Sequence, residues 1–189
     1  MKKIAVFASG TGSNFEAICN RLSFENWDAE IALVVSDKPN AKVLEKAEKA
    51  GVPTYAFQPK SFAGKEEFET AILEQLKLRQ VEWIILAGYM RLIGSTLLRA
   101  YPQRIVNIHP SLLPAFPGKD AIGQALTQGV KVTGITVHYV DEGMDTGPII
   151  AQRALPIQEG ETREQLENKM HKLEHELYPE VIKKLLQQN

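Results

Sequence analysis

The chain is short of several things. It has one cysteine, Cys19, so no disulfide can form within it. That suits a reducing compartment. No apolar stretch approaches the ~20 residues that a membrane helix needs. The apolar run near the start, Ile4 to Ala8, is too short for a signal-peptide core and leads into glycines. Charge of one sign is missing too: 22 Lys and Arg against 23 Asp and Glu leave a net −1. No broad basic field exists to hold nucleic acid by releasing counterions. The expectation is a cytoplasmic protein that acts on small molecules and has neither nucleic acid nor membrane as partner. Composition does not choose between monomer and homodimer.

The 189 residues, 44% apolar and 24% charged, suit one ordinary domain over 1–189. Apolar runs and helical patterns alternate along it. That predicts an α/β fold: a mostly parallel open sheet with helices on both faces. Ile4–Ala8 reads as the first strand and Ser13–Leu22 as the first helix. Ile31–Ser36, Thr54–Phe57, Trp83–Ala87 and Arg104–Ile108 read as further strands. Ala41–Ala50, Lys65–Arg79, Gly94–Ala100 and Ala121–Gln128 read as helices. Thr133–Val140 and Ile149–Ala154 read as strands of a hairpin-like extension. From Thr162 to Gln188 the pattern is helical, with Pro179 expected to interrupt and restart it.

The first strand runs into Ser9-Gly10-Thr11-Gly12-Ser13-Asn14 and then a helix. A helix start offers unpaired N–H groups and the positive end of a dipole. Gly12, Ser13 and Asn14 are therefore a candidate phosphate cradle. The alternative is a tight turn with Ser13 as the cap. No lysine follows Gly12, which excludes the Walker pattern, and Phe15 stands where the dinucleotide fingerprint needs a third glycine. Asp37, at the end of the second strand, keeps a nicotinamide site as a rival.

Asn107 and His109 lie two apart at the carboxyl end of a central strand, so their side chains share a face. Ligands of open α/β sheets bind beyond such strand ends. An amide can donate to a developing oxyanion without titrating, and an imidazole can move a proton near neutral pH. The pair suits acyl transfer through a tetrahedral intermediate. Asp145 lies between Gly143 and Gly147, where the chain can bend a carboxylate inward. A carboxylate beside a histidine favours the imidazolium. The alternative for Asp145 is a turn residue bonded to its own backbone. No G-x-S-x-G elbow exists, and Ser111 is the only hydroxyl near His109. Direct attack by a substrate amine is the simpler route.

His171 and His175 are four apart, but the glutamate of the zinc-protease helix is misplaced and a third ligand is missing. No metal is expected. Glu174 or His175 could instead reach the crevice and hold a polar group of the substrate. His138, on a strand, reads as structural.

Asn107-Ile-His-Pro-Ser-Leu-Leu-Pro114 with Phe116-Pro-Gly118, and Asp141-Glu-Gly-Met-Asp-Thr-Gly-Pro148, resemble the two motifs of the folate-dependent formyltransferases. Ser9–Asn14 is similar to the phosphate turn of the purine-pathway branch, the glycinamide-ribonucleotide formyltransferases. The tRNA branch carries an extra C-terminal domain and the deformylase branch an extra N-terminal one, and this chain has room for neither. The resemblance runs from residue 4 to about 180.

It implies 10-formyltetrahydrofolate as cosubstrate, with no metal or nicotinamide. It also implies roles. Asn107, His109 and Asp145 match the catalytic trio, and Gly12, Ser13 and Asn14 match the phosphate contacts. Glu174 matches the residue holding the other end of the ribonucleotide. Met90, Arg91, Leu92 and Ile93 match the folate pocket, together with Asn107 and Asp141, Glu142, Gly143, Met144 and Asp145. Lys65 stands where some members place a folate-contacting arginine, so the charge is kept and the bidentate fork is lost. Lys119-Asp120-Ala121-Ile122 departs from the His-rich version of some relatives. A formyl-folate hydrolase and a nicotinamide-binding domain remain the rival readings.

Overall fold

The computed structural model describes residues 1–188. Seven strands form one sheet in the order β3-β2-β1-β4-β5-β6-β7. The strands are β1 (Lys2–Phe7), β2 (Ala29–Ser36), β3 (Thr54–Ala56), β4 (Trp83–Leu86), β5 (Ile105–His109), β6 (Val132–Tyr139) and β7 (Ile149–Pro156). The first five pair in parallel, while β6 runs antiparallel to both β5 and β7. The mostly parallel sheet and its hairpin extension are thus as expected.

The helices are α1 (Ser13–Glu25), α2 (Lys42–Lys49), α3 (Lys65–Leu78), α4 (Ser95–Ala100), α5 (Ala121–Gln128) and α6 (Arg163–Gln188). Each face of the sheet carries its own core. On one, Val6, Ile85 and Val106 meet Phe15 and Ile18 of α1, Val43 of α2, and Met170 and Tyr178 of α6. On the other, Phe7, Ile84 and Ile105 meet Ile72 and Leu76 of α3 and Leu97 of α4. Central strands buried on both sides explain their unbroken apolar runs.

One expectation fails. Pro179 does not restart the last helix but lies inside an unbroken α6 of 26 residues. A mid-helix proline removes a backbone donor and crowds the preceding turn. Packing outweighs that here. Leu177, Tyr178, Val181 and Ile182 are all buried, and the Tyr178 hydroxyl lies within hydrogen-bond reach of the Leu86 and Val106 carbonyls at 2.7 and 3.2 Å. Both halves of the helix are held on the sheet, so the axis continues.

The β1–α1 turn and the ends of β4 and β5 lie at the carboxyl ends of parallel strands. β6 runs the other way and ends beside the start of β5, where Val140 N donates to the Ile105 carbonyl, and the loop that follows brings Asp145 back to His109. β1 and β5 lie on either side of β4, so the glycine turn and the Asn107–His109 pair flank one crevice.

Candidate active site

That crevice is a cavity of about 530 Å³, within the usual range for small-molecule sites. Gly12, Ser13, Asn14 and Glu174 line one end, and Asn107, His109, Gly143, Met144 and Asp145 line the other. Met90, Arg91 and Leu92 line both this cavity and a second hollow of about 600 Å³, while Ile93 lines the first alone.

At the first end, Gly12 caps α1 at φ 75, and no side chain caps the helix, so Ser13 is not the cap that the alternative reading required. A Cβ on Gly12 would fall 2.7 Å from Val43 Cγ2. Only glycine fits both the left-handed backbone and the approach of α2. The opening residues of α1 line the cavity, where a helix start has N–H groups without partners in the helix. Asn14 Nδ2 donates to Glu174 Oε2 at 3.1 Å, while Asn14 Oδ1 is buried with no partner. Burial pushes the Glu174 carboxyl above the usual carboxylate range, against the Asn14 amide and the His171 ring, which pull it down.

At the second end, three elements converge. Asn107 and His109 leave β5 on one face, and Asp145 arrives from the β6–β7 loop at φ 56. That loop folds tightly because Gly147 lies against the Tyr139 carbonyl, where a Cβ would come within 1.8 Å. Asp145 Oδ2 is 3.4 Å from His109 Nδ1 and accepts from the Gly118 N–H at 2.8 Å. His109 Nε2 is 2.8 Å from the Phe116 carbonyl, so that nitrogen carries a proton. The 3.4 Å gap exceeds a tight charge-assisted bond of about 2.8 Å, so the carboxylate lies beside the ring without a tight bond to it.

The Pro110–Asp120 loop is pinned from below. Leu113 N donates to Thr136 Oγ1 at 3.0 Å, and Gln152 Nε2 donates to the Leu113 carbonyl at 2.9 Å. Ser111 is fully buried and its hydroxyl donates to the Ala115 carbonyl. It closes the loop and is not poised as a nucleophile.

Some expected residues lie elsewhere. Asp141 Oδ1 accepts from Gly143 N at 3.0 Å and Thr146 Oγ1 at 2.6 Å, so it braces its own loop. Neither Asp141 nor Glu142 lines the main cavity. Lys65 lines the adjoining hollow, beside Phe68 and Arg91.

Residues given no part in the site from sequence complete it. His138, expected to be structural, lies 3.2 Å from Asn107 Nδ2 and 3.7 Å from Asp145 Oδ1 and faces the cavity. Its position depends on β6 register, which carries no local sequence signal. His171 lines the first end and stacks on His175 at 6.3 Å. Of the two residues considered for the crevice, Glu174 reaches it, whereas His175 keeps a buried, unpartnered Nε2. Asp37 is spent on structure. Its two oxygens accept from Ser9 Oγ at 2.5 Å and Arg91 Nε at 3.0 Å, and Ser9 Oγ accepts from Met90 N at 2.9 Å. The network ties the Met90–Arg91 segment to the ends of β1 and β2, and it leaves Asp37 engaged rather than free for a nicotinamide ribose.

An amide and an imidazole at a strand end, a carboxylate from a glycine loop and an anion nest across one cavity define an acyl-transfer site. The chain belongs to the formyl transferase family, whose profile matches residues 2–182. Within it, the chain is 68% identical to phosphoribosylglycinamide formyltransferase of Bacillus subtilis, over 98% of this chain and 95% of that protein. It is 42% identical to the trifunctional purine biosynthetic protein adenosine-3 of Drosophila melanogaster, over 98% of this chain and 14% of that longer protein. Among solved structures, glycinamide ribonucleotide transformylase 1 of Geobacillus kaustophilus superposes with a TM-score of 0.96 at 61% identity, covering 98% and 99% of the two chains.

Proposed function

We propose that this chain transfers the formyl group of 10-formyltetrahydrofolate to the amine of glycinamide ribonucleotide, a step of purine synthesis in the cytoplasm. Residues 1–189 act as one domain, the N-terminal half holding the ribonucleotide and the C-terminal half the folate and the catalytic trio. The observation that carries this reading is the shared cavity: Gly12–Asn14 and Asn107–His109–Asp145 open onto one space. A phosphorylated amine anchored at one end can present its nitrogen at the other. The family and the near-full-length relatives support the same reading.

The backbone N–H groups of Gly12, Ser13 and Asn14 hold the phosphate. Glu174 holds the middle of the ribonucleotide. Met90–Ile93, Gly143 and Met144 frame the folate, with Asp141 and Glu142 shaping the loop behind them and Lys65 near its outer end. The substrate nitrogen attacks the formyl carbon, and a tetrahedral intermediate forms. The second N–H of Asn107 and a ring N–H of His109 donate to its oxygen. The bond from carbon to the folate nitrogen then breaks, and the proton lost by the attacking amine goes to that nitrogen through His109 or water. Asp145 balances positive charge on the His109 ring.

Incubating the full chain with both substrates and analysing the products tests the proposal. Formylated ribonucleotide and deformylated folate in equal amounts are expected. Free formate without formylated ribonucleotide would transfer the protein to the hydrolase class.

A further inference from the structure

Asn107 and His138 are directly opposed residues of the antiparallel β5–β6 pair. Such pairs bring side chains on one face into contact. The neighbouring β6–β7 register slips between Val137 and His138, a bulge of the kind that re-aims a side chain. The His138 ring is almost wholly buried, at 3% exposure. Its Nδ1 is 2.8 Å from the Tyr139 carbonyl, which can only accept, so Nδ1 carries the proton. In the neutral ring Nε2 is then bare and needs a donor. Asn107 must turn its NH2 group, not its oxygen, to the 3.2 Å contact.

We infer that His138 is a positioning residue for the formyl-transfer reaction proposed above: as a neutral imidazole protonated at Nδ1, it fixes the Asn107 carboxamide so that one N–H is held and the other faces the reacting oxygen. A carboxamide free to flip would present its oxygen to a developing negative charge in half of its orientations. Holding it in place is preorganisation of the oxyanion donor.

Every charged group around the ring bears on its protonation. Burial holds His138 below its ordinary pKa, and the charge of His109 acts the same way. The Tyr139 carbonyl, Asp145 and Asp141 pull the other way. Burial is the largest influence, which agrees with a 3.7 Å separation from Asp145 that is too long for a formed ion-pair hydrogen bond. Acid makes Nε2 a donor facing the Asn107 donor, and the grip on the carboxamide is lost.

Three measurements on the full chain test this. His138→Leu should lower kcat by roughly tenfold or more, with both KM values within about threefold of wild type. His138→Gln, whose side-chain oxygen can accept where Nε2 did without titrating, should recover most of kcat. It should also keep a larger fraction of kcat than wild type as the pH falls below about 6.5, since His138 is held below the ordinary histidine value. Histidine 15N spectra at neutral pH should show His138 protonated at Nδ1 and bare at Nε2, a result independent of any activity. The inference is overturned by a protonated Nε2, by a Gln variant as impaired as the Leu variant, or by equal fractional losses in acid. If wild type gives no formylated product, the functional reading falls while the tautomer result still stands or fails by itself.

Discussion

One end of the cavity is built around a backbone turn, and the other from side chains. The Gly12–Asn14 end comes from a single strand–turn–helix of adjacent residues, with Glu174 and His171 of α6 as distant contributors. The reacting end gathers Asn107 and His109 from β5, His138 from β6, Gly118 from a loop and Asp145 from another loop. A backbone nest tolerates many side chains but few backbones. A side-chain cluster tolerates backbone variation but almost no change of residue. Substitutions at the first end should therefore act on folding and on KM, and at the second on kcat.

His109→Ala gives the sharpest break. It should lower kcat by about 10²–10⁴ with unfolding temperature nearly unchanged, read by steady-state kinetics beside calorimetry. An equal fall in affinity for both substrates with kcat intact would erase the distinction between the two ends. Gly12→Ala comes next. The left-handed backbone and the overlap with Val43 should cost about 2–4 kcal/mol in denaturant unfolding and raise KM for the ribonucleotide.

Glu174→Gln should raise KM for the ribonucleotide about tenfold, through loss of a charged acceptor. It should also stabilise the protein at neutral pH. A carboxyl whose folded pKa is raised contributes stability that is present below its unfolded pKa, about 4.3, and is lost as pH rises through the folded value. Glutamine carries no such loss. Melting temperatures of the two proteins should converge near pH 4 and separate above it, the variant being higher. Lys65→Ala should have the smallest effect, a rise in KM for the folate of no more than about threefold, because the side chain is exposed at the outer hollow. A larger rise would make that hollow an equal partner of the main cavity.

Much of this arrangement is legible in the sequence. The strands buried on both faces announce themselves as apolar runs, and the parallel sheet follows from their alternation with helices. Gly12 is legible because a helix start after a strand needs a residue at positive φ there. Asn107 and His109 are legible because spacing of two on a strand places them together. Pro179 misleads because local rules see the lost backbone donor and not the Tyr178 and Ile182 packing around it. Asp37 misleads because an acid at a strand end looks free until Ser9 and Arg91 are seen to hold it. His138 is hidden because partnership across two strands is a matter of register, and register is set by the fold as a whole.

The sequence by itself determined the class of sheet, the anion turn and the residue types able to carry formyl chemistry, since these depend on periodicity, backbone sterics and local spacing. Tertiary structure alone decided that Asp145 meets His109, that His138 meets Asn107 and that one cavity joins both ends. Those contacts span 31 to 36 residues of chain, and only the packing of two cores on one twisted sheet brings such distant groups within hydrogen-bonding range.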